Sequence, residues 1–168
     1  MTRAETDRLL QRISYGDNAA FEELYIKTRR GVYAFLYTYV QRSADAEDLM
    51  QTVYLKVKTN ISQYRHGTNG SAWILQIAKN LALNELKKSS RLQLSDEVIG
   101  SIDTFEYGTV SDAMRRTLSE EEQRIITLHV LWGYRHREIA DMLGCPTGTV
   151  TSKYKRAIKK MKEALKED

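Results

Sequence analysis

The chain has a single proline, Pro146, which falls inside the run REIADMLGCPTGTVTSKYKR from Arg137 to Arg156. Proline breaks helices, so its near absence leaves long segments free to be helical, and its one placement marks a turn between two of them. Within the run, Ala140, Gly144 and Val150 fix a tight crossing. A small residue at 140 lets two helices approach, Gly144 supplies the positive φ that ends the first, and Val150 turns the second back onto it. Such a helix-turn-helix puts the start of its second helix into the major groove of DNA.

Wheel arithmetic at about 100° per residue describes that second helix. Val150, Tyr154, Ala157, Ile158, Met161 and Leu165 fall in one arc, and Thr149, Ser152, Lys153, Arg156 and Lys160 in the opposite one. One face packs and the other presents hydroxyls and cations. Pro146 suits the first helical position, where its missing N–H costs nothing, with Cys145 at the cap position and the following amides free to meet a phosphate. An ordinary basic surface helix would share the charge but not the upstream Ala and Gly spacing, which is independent of it.

Long segments of 3.6-residue period predict an all-α fold, and 168 residues allow one domain or two small ones. No run of about 18 apolar residues exists to span a bilayer, and Met1 to Leu10 is too polar for a signal peptide. The cytoplasm is the expected compartment, without direct membrane insertion. One cysteine cannot form an internal disulfide, and Cys145 sits where a small apolar residue is wanted, which predicts a packed, inert thiol. His66, His129 and His136 lack the neighbours a metal site needs, so neither metal nor other cofactor is expected.

The net charge of +4 is unevenly distributed. Residues 1–88 hold 13 Lys+Arg and 9 Asp+Glu, residues 89–112 hold 1 and 5, and residues 113–168 hold 12 and 8. Two basic lobes flank an acidic tether. Phosphates repel such a tether, whereas a positively charged protein channel would hold it.

Thr2 to Ile13 reads as a short amphipathic helix, broken by Gly16, Asp17 and Asn18. Ala19 to Val40 follows as a long helix with Phe21, Leu24, Tyr25, Val32, Phe35, Leu36 and Tyr39 at helical spacing. Gln41 to Ala44 is a turn, with Ser43 the expected cap of a helix Ala44 to Lys58. Thr59 to Ser71, rich in glycine and asparagine and carrying Tyr64 and Arg65, reads as an exposed loop. Ala72 to Ser89 is a further helix, and Ser90 to Val110 an extended linker. Ser111 to Leu131 forms one or two helices, and Ser119 before Glu120, Glu121 and Glu122 gives a capped, acidic helix start. The expected architecture is two small helical domains, residues 1–89 and 113–168, joined by a linker over 90–112.

Two faces of the first lobe stand out. On Ala44 to Lys58, Ala46, Leu49, Met50, Val53, Tyr54 and Val57 span the buried arc, and the opposite arc holds Asp45, Asp48, Gln51, Thr52 and Leu55. A leucine between carboxylates and an amide suits a protein partner, because the acids repel phosphate; single exposed leucines are also ordinary. On Ala72 to Ser89, Trp73, Gln76, Asn80, Asn84, Lys87 and Lys88 form a stripe without an acid. Amides and lysines read base edges or hold phosphates, and Trp73 beside Tyr64 offers a stacking surface for an unpaired base. Stripe and loop together favour single-stranded DNA.

These segments resemble a known family, the extracytoplasmic-function sigma factors of bacterial RNA polymerase, over nearly the whole length. FEELYIKTRRGVYAFLYTYV with DAEDLMQTVYLKV is similar to its polymerase-binding segment, and SAWILQIAKNLALNELKKSSR to its segment for the promoter −10 element; together these make up sigma region 2. LSEEEQRIITLHVLWGYRHREIADMLGCPTGTVTSKYKRAIKKMKEAL resembles its −35-binding domain, sigma region 4. The resemblance implies a non-catalytic specificity subunit. It implies that Asp45, Asp48, Gln51, Thr52 and Leu55 meet the clamp helices of the polymerase β′ subunit, and that region 4 meets the β flap. It further implies that the loop 60–71, with Tyr64 and Arg65, captures a flipped base of the non-template strand, and that Trp73, Gln76, Asn80, Asn84, Lys87 and Lys88 serve the −10 element. Thr147, Thr149, Ser152, Lys153 and Arg156 would contact the −35 element, and the acidic linker would run through the basic active-site cleft and RNA exit path. Many relatives carry aspartate where this chain has Asn84, and an aromatic where it has the loop 66–70. Family members are commonly held by an anti-sigma factor, often membrane-anchored.

The alternative is a one-component transcription regulator with a helical sensor lobe, which would bind a palindromic operator as a dimer. The acidic linker and Leu55 argue against it. A serine recombinase built around Ser14 would need a strand-rich catalytic domain, which the pattern lacks.

Overall fold

A computed structural model of the chain describes residues 1–92 and 109–167. Among the described residues there are eight α-helices and no strand: α1 (Arg3–Ser14), α2 (Asn18–Val40), α3 (Ser43–Thr59), α4 (Gly70–Leu92), α5 (Thr109–Thr117), α6 (Glu120–Ile126), α7 (His136–Leu143) and α8 (Thr147–Glu167). They fall into two compact units, Met1–Ile102 and Asp103–Asp168. The expected linker is shorter than 90–110 at both ends, because α4 continues to Leu92 and α5 starts at Thr109; its remainder lies outside the described residues. No helix among the described residues is long and apolar enough to cross a membrane, and no cluster there could hold a metal ion.

In the first unit, α2, α3 and α4 pack pairwise and α1 lies against α2 and α4. Leu24, Val32, Leu36, Ala46, Val53, Val57, Ile74 and Ala78 are fully buried between them, and burying each larger aliphatic side chain contributes about 1.5–3 kcal/mol. Local chemistry sets the helix starts. Thr2 and Glu5 form a capping box, with Glu5 N–H donating to Thr2 Oγ1 at 3.2 Å. Asp17 caps α2 by accepting from Ala20 N–H at 3.1 Å, so the helix begins at Asn18 and only Gly16, at φ 85°, ends α1.

Ser43 does not cap α3. Arg42 occupies the cap position without a side-chain bond, and the buried Ser43 hydroxyl meets Tyr33 Oη at 2.8 Å instead. A tyrosine hydroxyl carried into the core by α2 needs a partner, and that need outweighs the cap. The same rule joins α2 to α3 at Thr28. Its hydroxyl donates to the Leu24 carbonyl at 2.6 Å, so Tyr54 Oη, 2.7 Å away, is the donor to Thr28 Oγ1. Burial pushes the Tyr54 pKa well above the ordinary phenol value and keeps that donor protonated.

The loop 59–71 is less open than its composition suggests. Ile61–Gln63 form a 3-10 turn, Tyr64 is buried, and α4 already begins at Gly70. A Cβ on Gly70 would lie 2.6 Å from Leu10 Cδ1, 3.0 Å from Thr6 Cγ2 and 3.2 Å from Tyr64 Oη, so this close approach of α1 requires glycine.

In the second unit, α5, α6 and α7 each pack on α8. Ala113, Leu118, Ile126, Ala157 and Met161 form its core, joined by Met114, Tyr154, Ile158 and Ala164. Ser119 and Glu122 make the expected capping box, and α6 runs into a π-turn at Thr127–Leu131. In the helix-turn-helix, Ala140 is buried, Val150 fully so, and Gly144 adopts φ 68°. The Ala140 carbonyl accepts from both Gly144 and Cys145 N–H, which closes α7. The helix α8 starts at Thr147, one residue later than expected: Pro146 supplies the carbonyl that receives Val150 N–H at 3.3 Å. Of the packing arc, Leu165 is the exception and is exposed.

The seam between the π-turn, α7 and α8 holds His129, His136 and Tyr154, whose ring centroids lie 4.8–5.0 Å apart. His129 Nδ1–H donates to the Tyr134 carbonyl at 2.8 Å, and His136 Nδ1 lies 3.1 Å from Thr151 Oγ1. His136 Nε2 is buried with no hydrogen-bond partner. Burial, with His129 beside it, pulls the His136 pKa below the ordinary imidazole value.

Two predictions follow from this packing. Gly70→Ala should destabilise the first unit by about 1–3 kcal/mol, the usual cost of an overpacked core contact, read as a lower urea midpoint; an unchanged midpoint would show that the α1 contact is dispensable. For the second unit, the unfolded chain takes up a proton at His136 before the folded one does, so stability is present above about pH 6.5 and declines as pH falls towards the lowered folded pKa. Thermal melts at pH 7.5 and 5.5 should show this decline, and His136→Asn should flatten it.

Candidate nucleic-acid and protein interfaces

Helix α3 buries Ala46, Leu49, Met50, Val53, Tyr54 and Val57 on one side. That leaves Asp48, Gln51 and Leu55 exposed on the other, Leu55 by 63%, with Asp45 and Thr52 half-buried beside them. Asp45 is held by Arg42 at 3.3 Å, and Thr52 Oγ1 donates to the Asp48 carbonyl at 3.0 Å. The face therefore combines an accessible apolar side chain with a free carboxylate and an amide, a surface that attracts cationic or amide groups around a leucine-sized pocket.

The α4 stripe is exposed at Gln76, Asn80, Asn84, Lys87 and Lys88, with Trp73 half-buried at its head. Gln76 Nε2 donates to Asn80 Oδ1 at 2.9 Å, which orients the two amides along the helix, and Lys88 lies 4.0 Å from Glu85. Leu83 and Leu86, each more than one-third exposed, flank the stripe and were not expected from its polarity.

Tyr64 departs from expectation. Its ring is 5% exposed and packs against Trp73, with centroids 5.2 Å apart and planes at 45°, so it offers no free stacking face. Its hydroxyl donates to Asp7 Oδ1 at 2.6 Å. Burial first, then the hydrogen bond to Asp7, pushes the Tyr64 pKa up to about 12. Arg65 beside it is exposed. Tyr64 thus packs beneath half-buried Trp73, and Arg65 is the exposed member of the pair that the sequence singled out in this loop. Asp7 was missed by the sequence reading, since a contact across 57 positions leaves no periodic signal.

On α8, Thr147, Ser152 and Arg156 are exposed and Thr149 and Lys153 half-buried. The cationic arc is not wholly free: Lys153 pairs with Glu121, and Lys160 lies 2.7 Å from the buried Glu122. Lys160 and Ser119 hold the Glu122 carboxyl below its ordinary range against the opposing effect of burial, so it stays charged. The acidic start of α6 is thereby tied to α8. Exposed N-terminal hydroxyls and Arg156 one turn beyond remain on the face that a helix-turn-helix turns towards base edges.

Comparison with known proteins places both units. The sigma-70 region 2 family matches residues 24–92, and the sigma-70 region 4 family matches residues 112–161. The chain is 30% identical to the ECF RNA polymerase sigma-E factor of Escherichia coli K12 over 178 aligned positions, covering 94% of this chain and 93% of that protein. It is 29% identical to the sigma-E factor of Haemophilus influenzae, covering 94% of each. Among solved structures, the sigma factor RpoE of Bartonella quintana, in complex with the anti-sigma factor NepR, superposes with a TM-score of 0.69 at 27% identity, covering 88% of this chain and 98% of that one. CnrH, in complex with the cytosolic domain of CnrY, shares the fold at a TM-score of 0.65 and 18% identity, covering 98% and 99%. A one-component regulator accounts for the helix-turn-helix but not for a region 2 match in the first unit, so that alternative is not favoured. With region 2 and region 4 in order and near full-length relatives, the chain belongs to the extracytoplasmic-function RNA polymerase sigma factors, subunits that direct polymerase to promoters.

Proposed function

We propose that this sigma factor divides its work between three surfaces. The exposed face of α3 around Leu55 docks on the clamp helices of the core polymerase β′ subunit, with Asp45, Asp48, Gln51 and Thr52 surrounding the leucine. The α4 stripe from Trp73 to Lys88, with Arg65 and the adjoining loop, holds the melted −10 strand. The face of α8 formed by Thr147, Thr149, Ser152, Lys153 and Arg156 reads the −35 element, while the region 4 unit rests on the β flap. The acidic segment over 90–112 runs along the basic nucleic-acid channel of polymerase, where its negative charge is favoured.

The observation that carries this reading is the segregation of chemistry: Leu55 stands exposed between acids on α3, whereas the α4 stripe is made of amides and lysines, with Glu85 beside Lys88 as its neighbouring acid. A DNA-binding lobe alone has no use for the first surface. The protein performs no bond chemistry of its own. It lowers the cost of opening the promoter by binding the opened strand: unstacking costs a few kcal/mol per step, and aromatic stacking returns about 1–3 kcal/mol per base, so several contacts and the polymerase itself must contribute. Its place of action is the cytoplasm, where core polymerase and promoter DNA are found. An anti-sigma factor is the expected control, one that would cover the polymerase- and DNA-binding faces; the Bartonella relative was solved in complex with the anti-sigma factor NepR.

Promoter-dependent transcription by core polymerase plus this chain is the deciding assay, on promoters mapped from transcript 5′ ends after overexpression; absence of start-site selection would sink the reading. Within that assay the surfaces separate. Leu55→Asp should weaken core binding roughly tenfold or more, as loss of a central apolar anchor does. Arg156→Ala should cost about 1–3 kcal/mol of promoter recruitment with core affinity unchanged. Loss of both properties in Arg156→Ala would contradict the division of labour.

A further inference from the structure

Helix α1 lies ahead of the segment matched by the region 2 family, yet it reaches the loop that follows α3, most closely through Asp7, with Ser14 Oγ also 3.5 Å from His66 Nε2. Asp7 Oδ1 accepts from Tyr64 Oη at 2.6 Å and from Gly67 N–H at 2.9 Å. Two donors three positions apart thus converge on one oxygen and close the loop into a turn. Gly67 takes φ 79° to deliver its N–H, a conformation that other residues rarely adopt. Thr68 Oγ1 donates to the Arg65 carbonyl at 2.6 Å within the same turn.

We propose that Asp7 is a positioning residue for promoter opening, through which α1 holds loop 64–69 and the Trp73 platform in the shape that receives the −10 strand. The inference rests on assigning that loop to the −10 strand. Tyr64 transmits the constraint, because its ring is held between His66, at 5.3 Å edge-on, and Trp73, at 5.2 Å. Arg65, His66 and Thr68 are left exposed on the outer side of the turn.

Two further observations support this role over a general structural one. First, α1 has its own anchorage: Leu9 and Leu10 are fully buried, Ile13 nearly so, Glu5 pairs with Lys27, and Thr6 Oγ1 meets Ser71 Oγ at 3.3 Å. These contacts anchor α1 without Asp7. Second, a carboxylate beside a phosphate-binding surface is a liability unless its charge is spent elsewhere. Here the Tyr64 hydroxyl, and after it the Gly67 N–H, hold the Asp7 carboxyl below its ordinary range against its partial burial, so the anion is present at neutral pH and already engaged. A loop closed in advance avoids the ordering cost that a free loop meets on binding a strand.

The test uses reconstituted holoenzyme and a single-stranded −10 oligonucleotide from the mapped promoter, carrying a fluorescent base analogue that reports unstacking. Asp7→Ala should weaken capture of that strand roughly tenfold, the loss expected for a hydrogen bond to a charged group, with core affinity and duplex −35 binding unchanged. Asp7→Asn, which keeps an acceptor in place, should recover most of the loss. Tyr64→Phe retains the ring and removes one donor; it should weaken capture less than Asp7→Ala, and the double variant should be no worse than Asp7→Ala alone. Wild-type capture by Asp7→Ala, or a parallel loss of core affinity, overturns the proposal. If wild-type holoenzyme holds the −10 strand no better than a scrambled strand, the loop assignment itself fails and the proposal falls with it.

Discussion

Between Val32 and Tyr39, helix α2 is buried on nearly every side, and the rest of the first unit is arranged around that fact. A helix apolar all round must be enclosed, so α3 and α4 each give one face to it and to each other, and α1 closes a remaining side. The enclosure also dictates polar detail. Tyr33 and Tyr54 take hydroxyls into the interior, and Ser43 and Thr28 are committed to them. What remains outward on α3 and α4 is one face apiece, and these two faces differ in charge and chemistry.

The second unit solves a related problem with shorter helices. None of α5, α6 or α7 exceeds nine residues, too few to stand alone in water, and all three rely on α8. The helix proposed to read DNA is therefore also the one that holds its unit together, with Val150, Ala157 and Met161 inward and Ser152 and Arg156 outward. Substitutions on the inward arc alter the shape of the unit, whereas those at Ser152 or Arg156 alter only what the surface meets.

Local signals were the legible ones. Ala140, Gly144 and Val150 announce their turn within eleven residues, and the Ser119–Glu122 box and the buried arc of α3 rest on spacing inside one element. Contacts between distant elements were not legible. Ser43 looks like a cap until Tyr33 arrives from α2 and takes its hydroxyl. Tyr64 looks like an exposed aromatic because glycine and asparagine surround it, while Asp7, which draws it inward, sits in a helix with no sign of that task. Pro146 was displaced by a single position, since a proline can open a helix from either side of its boundary. A partner face on α3 was suggested by one misplaced leucine, and polymerase as its proposed partner came only from family resemblance.

The pairing of Lys153 with Glu121 and of Lys160 with Glu122 has a consequence for thermodynamics outside the protein. A free lysine that meets a DNA phosphate liberates a condensed cation, and this release makes such binding steeply sensitive to salt. A lysine that already holds a carboxylate of its own chain must first surrender it, and the carboxylate left near the phosphates then gathers a cation from solution. The helix carries resident counterions, so ions set free on one side of the exchange are partly recovered on the other. If α8 reads DNA as proposed, ionic strength has a weaker hold on it than its tally of basic residues implies, and the choice of sequence falls to Arg156 and the hydroxyls around it.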